Sequence, residues 1–134
     1  MTVALTKDSI DLGIVVADPE ASLAFYRDML GFTAAGEMAM PGGGTMYRLM
    51  CGTSMIKLVH PASPPPAHAA PGGIPGAYGY RYFTISVSNL DELTDIVGAA
   101  GYTVVVPARD LRPDIRISIM EDPDGNWVEL LQTS

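Results

Sequence analysis

The chain contains an internal repeat, and a segment rich in proline and glycine separates its two copies. Residues 61–79 contain six of the 11 prolines in the sequence. Proline lacks a backbone donor and fixes φ, so this segment is excluded from helices and central strands. It is typical of a linker, and its length between two folded halves also fits a lid. We therefore expect one module over about residues 9–60 and a second over about 80–132.

Each half begins with a β-rich run that is followed by an amphipathic helix. The runs are residues 9–17 and 80–88, and Asp18 and Asn89 occupy equivalent places after them, 71 residues apart. Asp18 is a candidate N-cap because a proline follows it at the first helical position. Asn89 and Glu92 have the spacing of a capping box. The apolar stripe of the first predicted helix is Leu23, Tyr26, Met29 and Leu30.

Three further strands complete each half. They are expected at about 32–38, 45–51 and 54–60 in the first half and at about 102–108, 115–121 and 126–132 in the second. The tetrad Asp-Pro-Asp-Gly at residues 122–125 is a strong turn signal between the last two strands. The predicted fold is therefore α+β, with two tandem βαβββ modules in a single domain of 134 residues.

Composition excludes several classes of function. The chain has 8 Lys and Arg residues and 15 Asp and Glu residues, which gives a net charge of −7, so no basic stripe for nucleic acid is expected. The single cysteine, Cys51, rules out a disulfide framework and cysteine-rich zinc sites. No signal-peptide pattern and no apolar run long enough to span a membrane are present, so the predicted location is the cytoplasm.

Alternation along the strands predicts a polar set on the sheet faces that point away from the helices. Apolar residues at every second position are expected under the helices, which leaves the intervening residues for the opposite face. If the two sheets curl together, these faces line one concave pocket. The four polar side chains assigned to it are Asp11, Lys57, Tyr82 and Glu129.

Four other residues are candidates for ligand contact. Trp127 shares the face of Glu129 and offers an aromatic stacking surface. Met46 and Met55 belong to a methionine-rich first half, and methionine adapts its shape to apolar ligands. Arg48 is a candidate for binding a carboxylate or phosphate group. The competing explanations are simple packing for Trp127, packing in the core or at a dimer interface for the methionines, and a surface charge for Arg48.

Two stretches resemble the vicinal oxygen chelate superfamily, which includes glyoxalases, bleomycin-resistance proteins and extradiol dioxygenases. They are Val-Val-Ala-Asp-Pro-Glu-Ala-Ser-Leu-Ala-Phe-Tyr-Arg-Asp-Met-Leu-Gly-Phe at 15–32 and Glu-Asp-Pro-Asp-Gly-Asn-Trp-Val-Glu-Leu-Leu at 121–131. The resemblance covers about residues 9–132. It implies an open, cupped mixed sheet, a small-molecule ligand or substrate, and a homodimer.

The resemblance also implies where a metal would bind. Metalloenzymes of this superfamily take ligands, usually His and Glu, from the first and last strands of each module, which here are the positions of Asp11, Lys57, Tyr82 and Glu129. Only Glu129 is of the usual type, and the Lys57 ammonium has no lone pair to donate. No cofactor is therefore expected; a divalent metal, if one bound, would use Glu129 and Asp11.

The sequence leaves three functions open. The first is a metal-independent lyase or isomerase, in which a carboxylate acts as base, Lys57 as electrophile or proton donor and Tyr82 as oxyanion partner. The second is a non-catalytic protein that sequesters a hydrophobic or aromatic antibiotic. The third is a metal-dependent lactoylglutathione lyase or dioxygenase.

Overall fold

The two halves of the chain form four-stranded mixed sheets of the same topology. The structure, a computed structural model, describes residues 1–134 and divides into two units, Met1–Pro66 and Ala67–Ser134. The boundary therefore lies inside the proline-rich segment, and the second part of that segment belongs to the second unit. The two βαβββ modules and the α+β class expected from the sequence are confirmed.

In the first unit the strand order is β1-β4-β3-β2, with β1 parallel to β4 and the other pairs antiparallel. Its elements are β1 (Leu12–Val15), α1 (Pro19–Leu23), a π-helical segment (Ala24–Met29), β2 (Thr33–Ala39), β3 (Gly44–Cys51) and β4 (Ser54–Pro61). The first strand is shorter than the predicted run of 9–17. Ile10 therefore lies outside the sheet and is 79% exposed.

The second unit repeats this order as β5-β8-β7-β6, with β5 parallel to β8. Its elements are β5 (Tyr82–Ser86), α2 (Leu90–Ala99), β6 (Val104–Arg112), β7 (Ile115–Glu121) and β8 (Trp127–Thr133). Strand β6 runs four residues past the predicted end at 108. No helix in either unit has the length and apolar character needed to cross a bilayer.

The helix of the first unit changes its hydrogen-bond pattern midway. The Leu30 N–H donates to the Phe25 carbonyl at 2.9 Å, an i to i−5 bond that widens the turn. Phe25 and Tyr26 are consecutive, yet both are fully buried, and their rings meet edge to face at 4.9 Å. The predicted 3.6-residue stripe omitted Phe25 for this reason, because a wider turn places two neighbouring residues on the sheet side.

Helix α2 packs on its sheet through Leu90 and Val97, with a buried polar pair between them. The Thr94 hydroxyl donates to the Leu90 carbonyl at 2.6 Å and lies 2.8 Å from the Ser118 hydroxyl of β7. Since the single Thr94 hydroxyl proton is already used, Ser118 is the donor in the second bond. Both buried hydroxyls thus have partners and can be accommodated in the core.

The start of α2 corrects the predicted capping box. The Asn89 side chain makes no capping hydrogen bond. The Leu90 N–H instead donates to Gln132 Oε1 of β8 at 2.9 Å. A glutamine in the third strand after the helix therefore satisfies one of the unpaired N–H groups that every helix start exposes. Local sequence does not reveal this contact.

We expect Gln132→Leu to lower the free energy of unfolding by about 1 kcal/mol, because it removes the acceptor for a helix-start N–H. Asn89→Ala should have a smaller effect. Urea unfolding followed by circular dichroism measures both. Gln132→Glu is the control that keeps an acceptor at the same place. A larger loss for Asn89→Ala than for Gln132→Leu would contradict the assignment of this cap.

Candidate functional site

In the first unit the register places Lys57 and Arg48 side by side on the sheet face opposite the helix. Ile56 and Leu58 are buried, so the residue between them in β4 points to the other face. Lys57 pairs with Gly13 of β1 on one side and directly with Arg48 of β3 on the other. Two cations in adjacent strands repel one another unless an anion compensates them.

Asp11 supplies part of that compensation. Its Oδ2 lies 3.6 Å from Lys57 Nζ, and its Oδ1 accepts a hydrogen bond from Lys7 Nζ at 2.6 Å. The bond from Lys7, together with the positive charges of Lys7 and Lys57, holds the pKa of the Asp11 carboxyl below its ordinary value. A carboxylate that is stabilised in its charged form is a weak general base. Lys7 was absent from the predicted site, although its i, i+4 spacing to Asp11 was a signal.

Arg48 lies over a bulge in β2. The β2–β3 register shifts between Ala34 and Glu37, and Gly36, inside this bulge, has a φ of +99°. A Cβ on Gly36 would lie 3.1 Å from Arg48 Nη2. Glycine therefore gives the guanidinium room to lie against the β2 backbone. Arg48 Nε is buried and has no hydrogen-bond partner.

Methionines surround the two cations on this face. Met46 and Met50 are the same-face neighbours of Arg48 along β3. Met50 pairs with Met55 of β4, and Met46 pairs with Met38 of β2. Met46 and Met55, predicted as ligand contacts, thus lie on one face with Lys57 and Arg48. We call the face formed by Met38, Met46, Arg48, Met50, Met55 and Lys57 the methionine face.

The second unit places Glu129 and Tyr82 on the corresponding face of its own sheet. Glu129 Oε1 accepts a hydrogen bond from Thr84 Oγ1 at 2.7 Å, across the parallel β5–β8 pair. Tyr82 pairs with Trp127 and is 49% exposed. Thr84 was not among the predicted site residues, although the alternation of β5 places it on the same face as Tyr82. It fixes the orientation of the Glu129 carboxylate.

Trp127 is covered by the proline-rich segment of its own unit. A Cβ on Gly73 would lie only 2.0 Å from the indole atoms, so the backbone of Gly73 rests directly on the ring. Arg81 holds the segment in place, donating from Nε to the Gly73 carbonyl at 2.7 Å and from Nη2 to the Ala70 carbonyl at 2.5 Å. The indole N–H donates to Glu121 Oε2 at 3.3 Å. A ligand could stack on this covered side of the ring only after Gly73 had moved.

Cys51 and His60 have surroundings that fit a structural role. Burial raises the pKa of the Cys51 thiol, which disfavours the reactive thiolate. His60 Nδ1 lies 3.3 Å from the Val16 carbonyl and joins the ends of β4 and β1.

A groove of about 330 Å³ lies beside the C-terminal end of α2, lined by Tyr102 and Glu121 among others. None of the predicted site residues lines it, so it is distinct from the predicted site.

The side chains of the first unit do not suit a divalent metal ion. Both oxygens of Asp11 face ammonium groups. Lys57 stands where the resemblance to the superfamily implies a metal ligand. A divalent cation at this point would be repelled by both lysines. No three His, Cys, Asp or Glu side chains are grouped so that they could hold a metal ion.

The match to a family model identifies the superfamily of this chain. Residues 8–130 match the model of the Glyoxalase/Bleomycin resistance protein/Dioxygenase superfamily, so the chain belongs to that superfamily. It is 31% identical over 117 residues to the glyoxylase-type protein CFP32 of Mycobacterium tuberculosis (strain CDC 1551 / Oshkosh), and the match covers 87% of this chain. The chain spans 42% of the length of that relative.

Solved structures share the fold at low sequence identity. A glyoxalase family protein from Bacillus cereus superposes with a TM-score of 0.83 at 18% identity, covering 98% of this chain and 96% of that one. TnmS3, an antibiotic binding protein from Streptomyces sp. CB03234, superposes with a TM-score of 0.72 at 18% identity, covering 99% and 100%. At these identities the likeness establishes the architecture only.

We expect the Asp11 carboxyl to titrate below its ordinary pKa of 3.8. Because the folded-state pKa is lowered, the ion pairs persist above that value and are lost as the pH falls through the lowered pKa. Lys7→Met should raise the Asp11 pKa more than Lys57→Met, since the hydrogen bond from Lys7 is the largest contribution. Carboxyl-carbon NMR across an acid titration measures the midpoints. An unchanged midpoint in Lys7→Met would refute this arrangement.

We expect Gly73→Ala to displace the proline-rich segment from Trp127, because its φ is +57° and a Cβ would overlap the indole. Trp127 is the only tryptophan, so its emission should shift to longer wavelength as the ring becomes more hydrated. Gly79→Ala is the control: its φ is +108°, but no atom lies within 4 Å of a new Cβ. Equal emission spectra for the two variants would contradict the contact.

Proposed function

We propose that this protein binds a small molecule with a large apolar surface on the methionine face and does not transform it. The observation that carries this proposal is the state of Asp11, the carboxylate predicted as base or metal ligand. It is held by two ammonium groups, and its lowered pKa makes it a poor proton acceptor. The methionines beside it remain available to contact a ligand.

The composition of the face suits binding without strict shape selection. Methionine side chains are flexible and polarizable, and they repack around ligands of different outline. Lys57 and Arg48 interrupt the apolar surface with fixed positive charge. Such a mixture of apolar wall and a few polar groups is usual in small-molecule sites. The antibiotic binding protein TnmS3 has the same fold, which is compatible with this role.

An enzyme is the second candidate, and the second unit favours it. Thr84 holds one oxygen of the Glu129 carboxylate at 2.7 Å, which leaves the other oxygen for proton transfer. The exposed Tyr82 phenol lies on the same sheet face as an additional acid or hydrogen-bond donor. A lyase or isomerase would be expected to lose turnover in Glu129→Gln. A homodimer is compatible with either function and stays a prediction.

Binding can be tested with the neutral dye phenylnaphthylamine, whose fluorescence rises in apolar sites. We expect saturable binding by the wild-type protein. The double variant Met46→Gln/Met55→Gln should bind about tenfold more weakly, because it replaces apolar contact surface with amides. Met29→Gln is the matched control, since Met29 is half-buried in the π-helical segment on the other side of the sheet.

The same experiment distinguishes the two candidates. Dye affinity that is equal in the wild type and the double variant would overturn the assignment to the methionine face. Mass spectrometry of small molecules recovered from the protein, after incubation with a panel of aromatic natural products, tests for reaction. Recovery of a chemically altered compound, lost in Glu129→Gln, would replace the binding function with an enzymatic one.

A further inference from the structure

Arg48 has no ion-pair partner in its unit. Arg27 is paired with Asp28 at 2.8 Å, and in the second unit Arg116 is paired with Asp91 at 2.7 Å. Arg81 donates to three backbone carbonyls of the proline-rich segment. The ion pairs of the first unit, by contrast, leave Arg48 out.

The surroundings of Arg48 add positive charge instead of neutralising it. Lys57 is its direct cross-strand neighbour, and the only carboxylate that contacts Lys57 is shared with Lys7. Two lysines therefore share one carboxylate, and Arg48 lies beside one of them with no ion pair of its own. The chain as a whole carries a net charge of −7, so an arginine next to a lysine without a carboxylate of its own is unexpected here.

Arg48 Nε is buried and unbonded, which is costly for a charged donor. The cost is recovered if a bound molecule supplies an acceptor. A guanidinium presents parallel N–H donors that match the two oxygens of a carboxylate or a similar oxyanion. Gly36 has no side chain that would displace the guanidinium from its place against the β2 backbone.

We propose that the ligand of the methionine face is an organic anion whose oxyanion is bound by Arg48 and whose apolar body lies on Met46 and Met55. This inference rests on the proposed function. Lys57 adds long-range attraction, but Asp11 already engages its ammonium group. Arg48 is therefore the primary anchor. The recognised chemistry is a carboxylate, sulfonate or phosphonate attached to an aromatic or aliphatic skeleton.

Two dyes with the same ring system separate charge from apolar contact. Anilinonaphthalene sulfonate carries an anionic group, and phenylnaphthylamine does not. In Arg48→Met we expect the affinity for the sulfonate to fall by about tenfold or more, while the affinity for the neutral dye does not fall, because the new methionine adds apolar surface to the face. Arg48→Lys should restore part of the sulfonate affinity, since it keeps the charge without the planar fork. Arg27→Met is the matched control on the helical side of the same unit.

The dye measurements test the role of Arg48 and the binding function separately. An equal loss of both dyes in Arg48→Met would mean that Arg48 contributes only packing, and an unchanged sulfonate affinity would mean that it contributes nothing; both overturn the inference and leave the binding function intact. Failure of the wild type to bind either dye would overturn the binding function itself. Displacement of the sulfonate by inorganic phosphate at equal concentration would overturn the assignment to an organic anion.

A measurement on the wild type keeps the test valid if Arg48→Met does not fold. Sodium chloride should weaken binding of the sulfonate and leave binding of the neutral dye nearly unchanged, because salt screens the ionic contact only. The same salt response for both dyes would contradict anchoring of the ligand by charge.

Discussion

In each unit the first strand lies parallel to the last one, and this pairing positions the polar side chains discussed above. Parallel pairing of β1 with β4 brings Asp11 within reach of Lys57, and pairing of β5 with β8 brings Thr84 to Glu129. The crossover that such pairing requires contains the helix and the two intervening strands. The helix then covers one face of the sheet, and the other face keeps its polar residues.

The repeat and the alternation of apolar residues were enough to predict much of this arrangement. A period of two fixes which side of a strand a residue occupies, so Lys57 could be placed opposite the helix without knowing its neighbours. The register between distant strands could not be predicted in the same way. Arg48 pairs with Lys57 across the β3–β4 hairpin, whose register is set by the short turn between Cys51 and Ser54. Thr84 pairs with Glu129 across β5 and β8, which are far apart in the sequence, so this contact depends on long-range pairing.

The predictions of the buried helix stripe and of the capping box were wrong, and Lys7 was missed, because features outside the local sequence pattern decided each of them. A π-helical turn altered the buried stripe at Phe25, because the spacing of apolar residues assumes a constant number of residues per turn. The start of α2 is satisfied by Gln132 from the last strand, so the capping-box spacing of Asn89 and Glu92 was misleading. Lys7 lies outside the sheet and entered the site through its contact with Asp11.

The attachment of the proline-rich segment divides it into a fixed part and a variable part. Arg81 and Trp127 hold the backbone between Ala70 and Gly73, whereas residues 62–69 are all exposed. Insertions or deletions are therefore compatible with the region before Ala70 and disruptive within the held part. The same boundary marks where the chain could be opened to give new termini, since a cut there leaves the indole covered and the arginine bonded.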